Sequence, residues 1–260
     1  MISLKTKDWE INNIDTVLFD KDGTFIDLHF FWGQMTELRA KETIKYFNIN
    51  ENIFEKLCEI LGYDTEKKLM NKDGITALYS RAKIIKIYID KLKEIGINTN
   101  ITEIEKIFDY VSDIFYKNMH IYTKPIEEAI NFIKDLKQKG VKIGIVTSDS
   151  IISTKKTLNY FGWEELFKSI LGRESSEYTK ESGEPTKLAL KELNANPQNT
   201  IMIGDAPMDY ISAQNAGIEK TILVATGQLS KEDLLETSSL VVASLSEIDI
   251  IYWLIILFFR

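Results

Sequence analysis

The first sharp signal in the chain is TVLFD, residues 16–20, a short apolar run of the buried-strand kind that stops at the polar DKDGT. From Phe30 to Met119 the period changes to that of helices. Ile75, Leu78, Ile85, Leu92 and Ile95 share one face at helical spacing, and so do Ile101, Ile104, Phe108, Val111 and Phe115. Between them the stretch Gly62 to Gly74 is charged and turn-rich, which predicts a loop. From Pro125 onward helices and strands alternate. PIEEAINFIKDLKQKG opens on proline, carries an Ile126/Ala129/Ile130/Ile133/Leu136 stripe and stops at Gly140. VKIGIVTS follows with the continuous apolar pattern of a strand covered on both faces. After it come a helix over 151–161, the short apolar segment FKSIL, a helix over 185–193, strand TIMIGD, a helix over 209–216 and strand TILVAT.

This order predicts an α/β fold: a doubly wound, Rossmann-like parallel sheet with an inserted all-helical cap. The core is expected over residues 1–28 and 121–260, and the cap over 29–120. A helical insertion placed after the first strand would sit over the carboxyl ends of the strands, where open α/β sheets bind ligands. A chain of 260 residues has room for such a core and a smaller second domain.

Composition narrows the picture further. The 44% apolar and 27% charged content is that of a globular protein with a substantial core. A net charge of −7 argues against nucleic acid as a partner, but not against a small anionic substrate held by a local cation. The single cysteine, Cys58, lies in an apolar helical stretch and reads as buried filler. Without a disulfide framework, and with an N-terminus broken by charge, the expected compartment is the cytoplasm. Ile250 to Phe259 is uninterrupted apolar sequence, shorter than the ~20 residues of a membrane span. It is expected to pack against the core or a partner subunit, with membrane-surface contact as the alternative, and the chain is expected to be a monomer or homodimer.

The chemistry lies at the strand ends. Asp20 ends TVLFD, Asp205 ends TIMIGD, Asp209 follows four residues later, and Asp22 stands two beyond Asp20. Taken singly, such aspartates often cap helices or build turns. Converging in one cleft they cannot all stay ionised unpaired, and a hard cation such as Mg²⁺ with oxygen ligands resolves the conflict. In D-x-D-G-T, residues 20–24, two acids share one side of an extended segment. Asp20 could attack a phosphorus while Asp22 gives a proton to the leaving oxygen and later activates water. Gly23 would allow the sharp turn, and the Thr24 hydroxyl could tie it. His29 and His120 are too few and too scattered for zinc ligation, His29 standing either at a cleft entrance or at a hinge. Arg81 is either a surface ion pair or a contact for a substrate anion. Phe30, Phe31 and Trp32 read as hinge packing.

FDKDGTFID (19–27), GIVTS (144–148) and GDAPMD (204–209) together resemble the haloacid dehalogenase-like superfamily, in its branch with a helical cap after the first motif. The resemblance covers about Asp15 to Gly227. It implies Asp20 as nucleophile, Asp22 as general acid/base, Thr147 with adjacent Ser148 at the transferring phosphoryl group, and a metal site of Asp20, Asp22, Asp205 and Asp209. The lysine that the family places before a proline-initiated helix falls in TKESGEPTK, a departure from the usual pattern. Lys180 is the expected residue, and Lys187 the alternative. An acid at position 22 points to phosphate esters rather than to the dehalogenases. The implied function is a Mg²⁺-dependent phosphatase acting on a small phosphorylated metabolite through an aspartyl-phosphate. A phosphomutase on a sugar phosphate and a noncatalytic binding module of the same fold are the alternatives.

Overall fold

A computed structural model of the protein describes residues 1–252. The chain divides into two compact units, one built from residues 1–26 with 125 onward, the other from residues 27–124. The strands are β1 (Ile2–Lys5), β2 (Glu10–Ile14), β3 (Thr16–Phe19), β4 (Tyr63–Asp64), β5 (Leu69–Met70), β6 (Lys142–Val146), β7 (Ser169–Leu171), β8 (Thr200–Gly204), β9 (Lys220–Val224), β10 (Val241–Val242) and β11 (Asp249–Tyr252).

In the first unit a six-stranded sheet runs in the order β10-β9-β8-β3-β6-β7, and every neighbouring pair is parallel. Strand β3 is central, with Val17 opposite Ile143 of β6 on one side and Ile201 of β8 on the other. All of TVLF and TIMIG is buried, as a sheet covered on both faces requires. Leu18 and Met202 pack with Ala189, Leu190 and Ala213, so helices Glu184–Glu192 and Pro207–Asn215 cover one face. From β3 the chain adds β6 and β7 on one side, then crosses back to lay β8 on the other. The strand order therefore reverses at β3, and its carboxyl end is a switch point of the kind that opens a ligand crevice.

A second, antiparallel sheet of order β11-β1-β2 had no counterpart in the sequence pattern. It joins the two ends of the described chain, with Ile2 opposite Tyr252 and Lys5 opposite Asp249. Strands of four or five residues with charges between them carry little periodic signal, and the pairing partner of β1 lies far away in sequence. Ile2, Leu4, Ile11 and Ile14 are apolar side chains that it buries. The apolar tail enters this sheet through Ile250–Tyr252; its remainder, 253–259, lies outside the described residues.

The second unit is helical apart from one hairpin. Helices Leu28–Phe47, Arg81–Glu94 and Ile101–Lys117 enclose a core of Ile44, Ile85, Tyr88, Leu92, Ile104 and Phe108. Cys58 is buried in the same core, and burial pushes its thiol up to about 12. Two expectations change here. The stripe from Ile75 to Ile95 is not one helix: Tyr79 is extended and separates Ile75–Leu78 from Arg81–Glu94. Ile85 and Leu92 are buried, whereas Leu78 and Ile95 are exposed. The stretch from Gly62 to Gly74 is not a plain loop but the β4–β5 hairpin, closed by a hydrogen bond from Asn71 N to Gly62 O at 2.8 Å. Its two-residue strands are too short for an alternation to show. Among the described residues no helix is long and apolar enough to cross a membrane.

Candidate active site

Asp20 is the first residue past β3, and its amide still donates to Ile203 O at 2.9 Å, so the parallel ladder fixes its backbone. The chain then folds back on itself. The amides of Phe25 and Ile26 both donate to Lys21 O at 3.1 Å, and Gly23 sits at φ +82°, the left-handed region that favours glycine. The expected tie from Thr24 is not made: its buried hydroxyl has no hydrogen-bond partner among the described residues. Thr226, in the segment after β9, ties the turn instead, donating to Gly23 O at 2.5 Å.

Asp205 follows β8, and Asp209 is the third residue of helix Pro207–Asn215. Asp209 Oδ2 accepts from the Ala206 amide at 3.1 Å, closing the helix start, while Oδ1 lies 2.5 Å from Lys180 Nζ. Lys180 opens a single 3-10 turn, Lys180–Ser182, that ends at Gly183 with φ +80°. That turn is docked by Asn215 Nδ2 donating to Glu181 O at 2.7 Å. Lys180 is thereby buried with its ammonium 2.6 Å from Asp20 Oδ1. Lys187 is instead at the surface, paired with Glu184 one turn away.

Asp20, Asp205 and Asp209 each offer an oxygen to one cluster whose atoms lie within 4.8 Å of one another. Burial, then the charges of Asp20 and Asp209, hold the Asp205 carboxyl well above the ordinary aspartate value. Burial raises Asp209 as well, against the pull of Lys180. Lys180 moves the other way: burial would lower it, but Asp20 and Asp209 outweigh burial and hold it above its ordinary value. Three acids facing one ammonium leave an excess of negative charge that a hard cation would satisfy. Three glycines make the space. A Cβ on Gly23 or Gly227 would overlap the Asp205 carboxylate, and one on Gly204 would overlap Asp209. All-oxygen donors, buried and short of positive charge, fit a hard divalent cation.

Asp22 does not join this cluster. Its Oδ1 lies 2.5 Å from Lys21 Nζ, which also lies 3.1 Å from Asp149 Oδ2. Burial raises Asp22 to about 6 despite Lys21. Thr147, the residue after β6, is buried, and its Oγ1 accepts from the Asp149 amide at 3.1 Å. Ser148 beside it is exposed, with its hydroxyl 3.4 Å from Met208 Sδ. Sequence reasoning passed over Lys21, Asp149, Gly204 and Gly227. A lysine between the two acids of the first motif was the one available sign, because that position continues a buried strand. Within the helical unit, His29 Nδ1 accepts from the Met70 amide at 3.0 Å and so anchors the hairpin. Arg81 pairs with exposed Asp109 at 2.5 Å, and Phe31 packs edge-on against Trp32 and Phe115.

Residues 14–217 match the haloacid dehalogenase-like hydrolase family. The chain is 24% identical to the pyrophosphatase PpaX of Bacillus mycoides over 82% of its own length and 84% of that protein's. It is 26% identical to the phosphoglycolate phosphatase of Aquifex aeolicus over 81% of its length and 84% of that protein's. A crystal structure of a predicted phosphoglycolate phosphatase from Haemophilus somnus superposes with a TM-score of 0.68 at 16% identity, covering 91% of this chain and 97% of that one.

Proposed function

The chain belongs to the haloacid dehalogenase-like hydrolases, and from that premise we propose that it is a Mg²⁺-dependent phosphatase of small phosphorylated metabolites. The observation that carries this reading is the buried set of Asp20, Lys180, Asp205 and Asp209 at the carboxyl ends of β3 and β8. Asp20 is the nucleophile: a carboxylate oxygen bonds to phosphorus as the ester P–O bond breaks, giving an aspartyl-phosphate. Asp22 gives its proton to the departing oxygen, then takes one from the water that cleaves the acyl-phosphate. Lys180 offsets repulsion between the Asp20 carboxylate and the incoming phosphate, and the Thr147 hydroxyl donates to a phosphoryl oxygen. Asp20, Asp205 and Asp209 would hold Mg²⁺, which would supply the positive charge that the phosphoryl oxygens need.

Names among the relatives suggest pyrophosphate and phosphoglycolate for a first substrate panel. The test is phosphate release from that panel and from an aryl phosphate, with and without Mg²⁺, beside Asp20→Asn. Magnesium-dependent release that disappears in the variant is expected. Release unaffected by Asp20→Asn would show that the nucleophile lies elsewhere.

A further inference from the structure

We propose that Lys21 is a positioning residue that fixes the Asp22 carboxyl for proton transfer, an assignment that rests on the phosphatase reading above. Lysine is among the side chains least often buried, yet Lys21 is 0% exposed, directly between the two acids of the first motif. Its ammonium bridges Asp22 Oδ1 at 2.5 Å and Asp149 Oδ2 at 3.1 Å. Asp149 is itself anchored. Its side chain accepts from the Ser150 amide at 2.7 Å, its amide donates to Thr147 Oγ1, and its carbonyl accepts from the Arg173 amide at 3.0 Å. Lys21 thus straps the nucleophile turn to the loop after β6.

The strap acts on one oxygen of Asp22. Oδ1 is engaged by Lys21, whereas Oδ2 makes no hydrogen bond among the described residues. The Asp22 side chain is 12% exposed, more open than either partner. With Oδ1 held, the carboxyl torsion is set and Oδ2 is the oxygen left to carry the proton. The fold alone does not call for this arrangement, since well-packed apolar side chains replace buried ion pairs with neutral or favourable effect in many proteins.

In the step concerned, a bond forms between an Asp20 oxygen and phosphorus while the bond from phosphorus to the leaving oxygen breaks. The electron pair of that bond stays on the leaving oxygen, and the proton on Asp22 Oδ2 moves to it. Lys21 keeps its charge and transfers nothing.

The test compares kcat/KM of the wild type, Lys21→Met and Asp22→Asn on two substrates. One is p-nitrophenyl phosphate, whose leaving group departs without protonation; the other is an alkyl phosphate such as phosphoglycolate, whose leaving oxygen needs the proton. Lys21→Met is expected to lower kcat/KM for the alkyl ester by about 100-fold, the low end of what general acid catalysis supplies, with less than a tenfold loss on the aryl ester. Asp22→Asn should show the same split. Equal losses on both esters, or no loss on either, would overturn the assignment. Should Lys21→Met not fold by far-UV circular dichroism, the double variant Lys21→Met/Asp149→Leu removes the orphaned charge, and the same split is required of it. Absence of Asp20-dependent turnover in the wild type on both esters would instead overturn the phosphatase reading, and the role of Lys21 with it.

Discussion

Lys180 Nζ lies 2.6 Å from Asp20 Oδ1, a contact made across 160 residues of chain. It singles out Lys180 from Lys187, whose ammonium pairs with Glu184 at the surface. Removing the cation leaves three buried acids without their ammonium and exposes the incoming phosphate to their repulsion. Lys180→Met is expected to lower kcat for phosphate release by about 100-fold or more, the scale of losing one electrostatic stabiliser. Lys187→Met should stay within about twofold, as a surface pair contributes little. Steady-state kinetics on both variants decides, and the opposite ranking would move the active-site lysine to position 187.

Gly227 has no side chain because the Asp205 carboxylate occupies the place of one. Ala at this position must displace Asp205 from the acidic cluster. Gly227→Ala is therefore expected to weaken Mg²⁺ binding by at least about tenfold, since displacing one oxygen ligand costs on the order of 1.4 kcal/mol or more. Gly96→Ala is the control for a glycine substitution far from any contact: nothing lies near its Cβ, and only backbone strain at φ +86° is expected. Calorimetric titration with Mg²⁺ reads the difference, and equal affinities in the two variants would remove Gly227 from the site.

How much of this was legible in the sequence follows from what the pattern of side chains can encode. Strands β3, β6 and β8 announced themselves because both sheet faces are covered, so the apolar run is continuous and stops at the polar residues of the site, Asp20, Thr147 and Asp205. β1 and β11 did not, because their pairing is a relation between chain ends and not a property of either segment. Asp20 and Asp205 could be named from the strands that carry them. Where the Asp22 side chain turns could not be, since it depends on a buried lysine whose second partner, Asp149, stands 128 residues later, in the loop after a different strand. Gly204 and Gly227 were equally silent: a close approach in space leaves only a glycine in the sequence.

Thr147 and Ser148 are adjacent hydroxyls with different surroundings. Thr147 is buried, its Oγ1 already accepts from the Asp149 amide, and it donates to no acceptor among the described residues, so its proton is available to a phosphoryl oxygen. Ser148 is exposed beside Met208. Thr147→Val, which keeps the shape, is expected to lower kcat/KM by about tenfold or more, while Ser148→Ala changes it by less than about threefold. A larger loss at Ser148 would transfer the proposed phosphoryl contact to that residue.

The raised carboxyls of Asp205 and Asp209 tie stability to pH and to the proposed cation. Each binds its proton more tightly when folded than at its ordinary value of 3.8, and Asp22, raised to about 6, has the same sign. Between that ordinary value and the raised ones the folded chain holds more protons than the unfolded chain. Unfolding free energy of the metal-free protein therefore falls as pH rises through this window, and the contribution is fully present only below it. A divalent cation needs the ionised carboxylates, so it competes with those protons and stabilises most where they have left. The melting temperature with EDTA and with saturating Mg²⁺, followed from about pH 5 to about pH 8, is expected to show a gap that widens with pH. Asp205→Asn removes both a titrating group and a proposed ligand, so it should raise the metal-free melting temperature at the alkaline end and shrink the gap. A gap that stays constant with pH, or that survives Asp205→Asn unchanged, would mean that the cation binds away from this cluster.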